Sequence, residues 1–219
     1  MLVGFEAVTV LLSTRQQPMA STPGIDPELR RFLADEADEH RRAFESFVLE
    51  LEPAFKAVLS VWEEALRAGG KLLIFGNGGS AGNAQHIAAE LSIRYSLDRP
   101  AIAAVALTAD SLMLTAAGND FGFERVFSRQ IEALGRPGDV AVGISTSGTS
   151  PNVVAGLREA RARGLRTTGM TGGKPSGFAG LCDAVIAVPS TVTARIQEMH
   201  LIVTHMLCKA LEKRLGLVE

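Results

Sequence analysis

Residues 71–80 read Lys-Leu-Leu-Ile-Phe-Gly-Asn-Gly-Gly-Ser, and this stretch decides the fold. Its first half is a short, continuous apolar run, which is typical of a strand buried on both faces of a parallel sheet. The glycines after it predict a tight turn into a helical segment that runs to about Leu97. A strand followed at once by a glycine turn and a helix indicates the first unit of an α/β fold.

The same alternation of strand and helix continues to the end of the chain. Further strands are predicted at 101–107, 139–144, 167–171 and 184–188. Helices are predicted after Thr108, which we expect as a cap, and at 121–134, 151–163 and 193–215. The pattern predicts a doubly wound, five-stranded parallel sheet of the flavodoxin type. Such sheets bind ligands beyond the carboxyl ends of their strands.

Two helices are predicted to precede the sheet. Asp26 and Pro27 suit an N-cap and a first helical residue, and apolar residues recur at helical spacing over 28–51. Pro53 is expected to end this helix and to begin a second one that runs to Arg67. We therefore expect a flexible tail over 1–25 and a single domain with N-terminal helices over 26–219.

The composition narrows the classes of partner. Hydrophobic residues make up 47% of the 219 residues, and 22 Lys+Arg against 24 Asp+Glu give a net charge of −2. We expect no nucleic-acid partner, because such proteins usually show a basic excess. The apolar stretch 1–12 is too short to span a bilayer and lacks a preceding basic segment, so we expect neither a membrane partner nor a secretory signal. Cys182 and Cys208 form no recognisable framework, which favours reduced thiols in the cytoplasm.

Two loops at predicted strand ends carry groups that suit a phosphate. In residues 76–81, the glycines allow backbone N–H groups to approach an anion at a helix N-terminus. In residues 145–150, five of six side chains carry a hydroxyl, and Pro151 then begins a helix. The alternatives are a dinucleotide site, a plain strand–helix turn, and a solvated Ser/Thr turn with Ser150 as a cap. The dinucleotide site is disfavoured because Arg99 and Pro100 stand where an acidic residue should follow.

A polar set on two helices suggests a metal site. His86 and Glu90 lie four apart on one helix face, and Gln197 and His205 lie on the last helix. Two imidazoles, a carboxylate and an amide oxygen are plausible zinc ligands, although a lone helical histidine is more often structural. On a straight helix, Gln197 and His205 are offset by roughly 80° and about 12 Å along the axis. Convergence on one ion then needs long side-chain reach, a non-helical start near Gln197, or ligands from different subunits.

Four ordered segments together resemble the sugar isomerase (SIS) domain, and more closely the bacterial phosphoheptose isomerase family. They are Gly-Asn-Gly-Gly-Ser at 76–80, Gly-Asn-Asp-Phe-Gly at 118–122, Gly-Ile-Ser-Thr-Ser-Gly at 143–148 and Arg-Ile-Gln-Glu-Met-His at 195–200. The resemblance covers the chain from about Glu28 to its end. It implies the conversion of sedoheptulose 7-phosphate to glycero-manno-heptose 7-phosphate through an enediol, the first step of nucleotide-activated heptose biosynthesis. It also implies a homotetramer.

The same resemblance implies roles for particular residues. It implies one zinc ion bound by His86, Glu90, Gln197 and His205, with Glu90 and His205 acting in catalysis. It implies substrate contacts at Asn77, Gly78, Gly79, Ser80, Glu90, Asn119, Asp120, Ser145, Thr146, Ser147, Ser150 and Gln197. The family pattern has an acidic residue just before 195–197, where this chain has Ala194, so that accessory carboxylate is not expected here.

The alternative function is a non-catalytic SIS-domain regulator that binds a replication initiator or senses a sugar phosphate. The segment 194–200 also resembles a replication-initiator-associating protein of the superfamily. Binding proteins of that kind lack the glutamate and the second histidine, whereas Glu90 and His205 are present here. These two residues therefore favour the enzyme.

Overall fold

The computed structural model describes residues 26–173 and 177–218. It contains five parallel strands in the order β2-β1-β3-β4-β5, which confirms the predicted fold class. The strands are β1 (Leu72–Gly76), β2 (Ala104–Ala106), β3 (Val140–Ser145), β4 (Arg166–Gly172) and β5 (Ala184–Val188). The helices are α1 (Pro27–Arg67), α2 (Gly79–Ser92), α3 (Ser111–Phe121), α4 (Val126–Leu134), α5 (Pro151–Ala162) and α6 (Thr193–Arg214), with a 3₁₀ turn over Phe123–Arg125.

Helices cover both faces of the sheet, and alternate side chains of β1 pack against each face. Leu72 and Ile74 belong to an apolar cluster that includes side chains of α1, α2 and α6. Leu73 and Phe75 belong to the opposite cluster, with side chains of α3, α4 and α5. Burial of each such side chain contributes about 1.5–3 kcal/mol. The continuous apolar run follows from this arrangement, because neither face of the strand meets solvent.

The prediction of two N-terminal helices was wrong, since α1 runs unbroken through Pro53. A mid-helix proline removes one hydrogen bond to the carbonyl four residues earlier and costs about 3 kcal/mol. That carbonyl belongs to Leu49, whose side chain is 86% exposed, so this turn of the helix faces water. On the other face, Val58 and Trp62 are buried in the core. This packing outweighs the cost of the proline.

The described part of the chain divides into two units, and the boundary lies between Asp38 and Glu39. The predicted cap at the start of α1 is confirmed in the first unit, where the Asp26 carboxylate accepts the backbone N–H of Glu28 at 2.9 Å. The predicted tail over 1–25 lies outside the described residues.

Several predicted helix limits shift for local reasons. Asp110, and not Thr108, caps α3, because its carboxylate accepts the N–H groups of Leu112 and Met113 at 2.9 and 3.0 Å. The predicted helix over 121–134 is divided at Gly122, whose φ of 84° lies outside the helical range. The helix after the glycine loop ends at Ser92 instead of Leu97. Within the described residues, none of the helices is long and apolar enough to cross a membrane.

Candidate active site

The glycine loop after β1 is held against the start of α5 by a pair of amides. Asn77 Nδ2 donates to Asn152 Oδ1, and Asn152 Nδ2 donates to Asn77 Oδ1, both at 2.8 Å. Gly78 has a φ of 54°, a left-handed conformation that favours glycine, and α2 begins at Gly79. Asn77 therefore joins the two predicted phosphate loops. The sequence analysis missed Asn152, because its partner lies 75 residues away.

The hydroxyl loop after β3 gathers its side chains at the N-terminus of α5. Ser145 Oγ lies 2.9 Å from Ser150 Oγ and 3.3 Å from Ser147 Oγ. The backbone N–H of Thr149 donates to Ser147 Oγ at 3.2 Å. Ser150 occupies the N-cap position, but its hydroxyl makes no hydrogen bond to the backbone N–H groups of the helix. Hydroxyl donors at a helix N-terminus suit a phosphate monoester.

A cavity of about 250 Å³ opens beside this loop. Its lining combines side chains of the loop with hydroxyl-bearing residues just before and at the start of α6: Thr146, Ser147, Gly173, Ser190, Thr191, Thr193 and Ile196. Ser190, Thr191 and Thr193 supply these hydroxyls, and the sequence analysis missed all three. The Ser-Thr-Val-Thr run at 190–193, directly after a strand, was the signal that could have revealed them.

His86, Glu90 and His205 converge between α2 and α6. His86 Nε2 lies 3.4 Å from Glu90 Oε1 and 2.8 Å from His205 Nε2. One ligand atom from each of the three lies within 4.8 Å of the others, and all three residues are half-buried. The ring of Tyr95 packs against His205, with centroids 5.7 Å apart. Two imidazole nitrogens and a carboxylate oxygen at this spacing form a donor set that fits a divalent metal ion such as zinc.

The side chain of Gln197 lies at the other end of α2 from Glu90. A Cβ placed on Gly79 would stand 2.5 Å from both Nε2 and Oε1 of Gln197, so the amide lies against the first turn of α2. His86 comes seven residues later on the same helix, about 10 Å along its axis. Since α6 begins at Thr193, Gln197 is part of regular helix, and a non-helical start does not bring it closer to His205. The structure thus brings together three of the four expected ligands.

Asn119 and Asp120 end α3, which packs on the opposite face of the sheet from α2 and α6. The Asn119 amide donates to the Asp120 carboxylate at 2.8 Å, and both residues are exposed. In this chain, these two residues therefore belong to a different surface from the one that carries His86, Glu90 and His205.

His200 shows the structural behaviour of a buried histidine. It is fully buried in α6, and its Nε2 lies 3.2 Å from the carbonyl oxygen of Thr171. Burial lowers the pKa of His200 to about 4, although the bond to Thr171 acts in the opposite direction. His40 is paired with Glu198 at 2.8 Å. Both histidines thus have contacts outside the cluster of His86, Glu90 and His205.

Comparisons with known proteins agree with this geometry. A family model described as the SIS domain matches residues 37–172. The phosphoheptose isomerase of Paramagnetospirillum magneticum is 51% identical over 181 residues, which cover 83% of this chain and 94% of the relative. The phosphoheptose isomerase of Geotalea daltonii is 52% identical over 176 residues, which cover 80% and 92%.

Solved structures give the same result. The phosphoheptose isomerase from Neisseria gonorrhoeae is 40% identical with a TM-score of 0.79, covering 84% of this chain and 99% of that one. The phosphoheptose isomerase from Francisella tularensis is 31% identical with a TM-score of 0.81, covering 86% and 100%. The family model spans both phosphate loops and the helix α2.

Proposed function

Since this chain belongs to the phosphoheptose isomerases of the SIS domain family, we propose that it converts sedoheptulose 7-phosphate into glycero-manno-heptose 7-phosphate, the first step of nucleotide-activated heptose synthesis. The observation that carries the proposal is the convergence of His86, Glu90 and His205 within 4.8 Å. A domain that only binds a sugar phosphate needs the loops but has no need of these three side chains.

Glu90 and His205 are the proposed acid–base pair. Aldose–ketose isomerisation moves a proton between C1 and C2 and a second proton between the two oxygens. A carboxylate on α2 and an imidazole on α6 face the same space from different helices, so they can address two atoms of one substrate. A positioned base contributes about 10² to 10⁴ in rate.

The two loops are proposed to hold the substrate. The hydroxyls of Ser145, Thr146, Ser147 and Ser150 bind the phosphate together with the N-terminal N–H groups of α5. The backbone at Gly78, Gly79 and Ser80, with the amide of Gln197, contacts the sugar. Asn77 does so through its backbone, because its side chain is engaged by Asn152. Phosphate binding energy then orients the distant carbonyl end.

Zinc is the proposed ion, with His86, Glu90 and His205 as its ligands. When bound, the ion supplies a Lewis acid that polarises the sugar carbonyl and stabilises the enediolate. Glu90 as a ligand is less free to act as a base, so we assign the proton transfers to Glu90 and His205 as a pair and not to one of them.

A homotetramer is the proposed assembly, in which a second subunit brings Gln197 to the metal ligands. The separation of Gln197 and His205 along α6 supports a contribution from a second subunit. Such an assembly also gives a role to Asn119 and Asp120, which would reach a neighbour's substrate from the other sheet face. Near them, Leu112 and Phe123 are 79% and 64% exposed, as suits a face that a second copy covers. We also propose that the protein acts in the cytoplasm.

The test is turnover of sedoheptulose 7-phosphate before chelation, after chelation and after zinc is restored. Glu90→Gln and His205→Asn should each lower kcat by about 10² or more while the protein still binds the sugar phosphate. Glu159→Gln, which removes a surface carboxylate of α5 paired with Arg163, is the matched control and should leave turnover unchanged. Normal turnover in Glu90→Gln would disprove the assigned role.

A further inference from the structure

A fully buried ion pair lies beneath the ligand cluster. Arg99 Nε donates to Glu212 Oε1 at 2.7 Å, and the two side chains are 0% and 2% exposed. Arg99 lies in the loop between α2 and β2, and Glu212 lies in the last turns of α6. The pair therefore joins the segment after α2 to the helix that carries His205.

Two further donors of Arg99 bind the end of α2, and Nη1 also donates to the carbonyl of Pro100 at 3.0 Å. Nη2 donates to the carbonyl of Glu90 and Nη1 to the carbonyl of Leu91, both at 2.8 Å. Since α2 ends at Ser92, both carbonyls are among the four that a helix C-terminus leaves without an intrahelical partner. A cation is also favourable at this end of the helix dipole. Arg99 thus holds the backbone of Glu90 itself.

Glu212 is linked to His205 indirectly, through Tyr95. It follows His205 by seven residues, so the two lie on one face of α6 about two turns apart. Its Oε1 also accepts the backbone N–H of Tyr95 at 3.4 Å. The ring of Tyr95 packs on His205. The Glu212 carboxylate therefore connects the backbone N–H of Tyr95 with the guanidinium of Arg99, which in turn binds the carbonyl of Glu90.

Stability alone is a weak reason for such a pair. Desolvation of two charges offsets most of their attraction, and apolar side chains of similar volume often replace a buried ion pair without loss of stability. An apolar replacement does not reproduce the directed hydrogen bonds from Arg99 to three carbonyls and one carboxylate.

We propose that Arg99 and Glu212 are positioning residues that set the separation between Glu90 on α2 and His205 on α6, and with it the metal affinity of the cluster. This inference rests on the proposed metal site, but metal binding is measured without any isomerase reaction. A wild-type protein that binds metal and does not turn over sedoheptulose 7-phosphate would overturn the proposed function and leave the positioning role testable.

The experiment compares Arg99→Met/Glu212→Leu with the wild-type full chain. Changing both residues avoids leaving one buried charge unpaired. Cobalt(II) titration, followed by the visible absorption of the bound ion, and competition with zinc give the affinity, while urea unfolding of the metal-free protein gives the stability. We expect a folded protein whose metal dissociation constant rises 10- to 100-fold, as is typical when outer partners of ligands are lost. kcat should fall more than KM changes, because the phosphate loops are untouched.

Two further variants keep the inference falsifiable. Arg99→Lys keeps the charge but one ammonium cannot reproduce these directed hydrogen bonds, so we expect an intermediate loss of metal affinity with nearly native stability. Lys71→Met, the matched control, breaks a partly buried ion pair with Asp139 that joins β1 to β3, and it should lower stability without changing metal affinity. Wild-type metal affinity in the double variant, or in Arg99→Lys should the double variant not fold, would overturn the positioning role, as would an absence of metal binding by the wild type.

Discussion

Gly79→Ala should displace one side chain of the site with little effect on the fold. A Cβ at Gly79 would lie 2.5 Å from Nε2 and Oε1 of Gln197 and 2.6 Å from its Cδ. Ordinary contacts are about 3.5 Å, so the amide has to retreat by about 1 Å. It is the flexible end of a long side chain and can do so, and alanine is favoured over glycine in a helix by up to about 1 kcal/mol. We expect the free energy of unfolding to change by no more than about 1 kcal/mol.

Activity should respond much more strongly than stability. A displacement of about 1 Å in a positioning group can cost about 10² in rate, so we expect kcat/KM for sedoheptulose 7-phosphate to fall by about that factor. The alanine keeps its backbone N–H, so the backbone hydrogen bond proposed at this position is retained. Gly82→Ala is the matched control on the same helix, because its Cβ would meet no atom within 4 Å. That variant should keep its activity and gain a little stability.

Steady-state kinetics and urea unfolding of both variants decide the question. Gln197→Ala, alone and combined with Gly79→Ala, adds a double-mutant cycle. If Gly79→Ala acts through the amide, the combined variant should be no worse than Gln197→Ala alone. Wild-type kcat/KM in Gly79→Ala would refute the reasoning, since it would mean that the place of the Gln197 amide does not matter to turnover.

Three other outcomes follow from the structure. Asn152→Ala removes both bonds to Asn77 and leaves its amide unpaired, so urea unfolding should show a loss of about 1–3 kcal/mol, and kcat/KM should fall as the glycine loop loosens. The His200 pKa of about 4 lies below its ordinary value of 6.5, so the unfolded chain takes up the proton first as pH falls. The free energy of unfolding should therefore decrease by about 3 kcal/mol from pH 7 to pH 4. The variant His200→Gln should lack this contribution. Zinc at 100 times its dissociation constant should raise the free energy of unfolding by about 2.7 kcal/mol, and His86→Ala should abolish most of that increase.

The fold was predictable wherever one local pattern dominated. The apolar runs before Gly76 and Ser145 predicted strands, because burial on both faces leaves no polar position within them. The run at 184–188 did so as well, although Val185 and Ala187 are only half-buried. Pro53 misled the prediction because the proline cost is local, whereas the packing of Trp62 that offsets it depends on a strand more than 100 residues away.

The site was predictable to the extent that its residues share a helix or a loop. The i,i+4 spacing of His86 and Glu90 is visible in the sequence, but their approach to His205 arises from the packing of α2 on α6. Arg99 entered the sequence analysis only as a mismatch to a dinucleotide site. Its bonds to Glu90 and Glu212 involve partners up to 113 residues apart, and no spacing rule reports such pairs.

The enzyme is favoured over the sensor because packing α2 against α6 with Glu90 between them carries a desolvation cost. The neighbours of His86 and Glu90 on α2 include Ile87 and Leu91, both fully buried, so an apolar side chain in place of Glu90 would pack more easily than a carboxylate. A half-buried carboxylate beside two imidazoles loses hydration without a compensating apolar contact. A phosphate sensor gains nothing from that arrangement, since the hydroxyl loop alone serves it. An isomerase needs a base, an acid and a cation at the carbonyl end of the sugar, and these three side chains supply the first two and can hold the third.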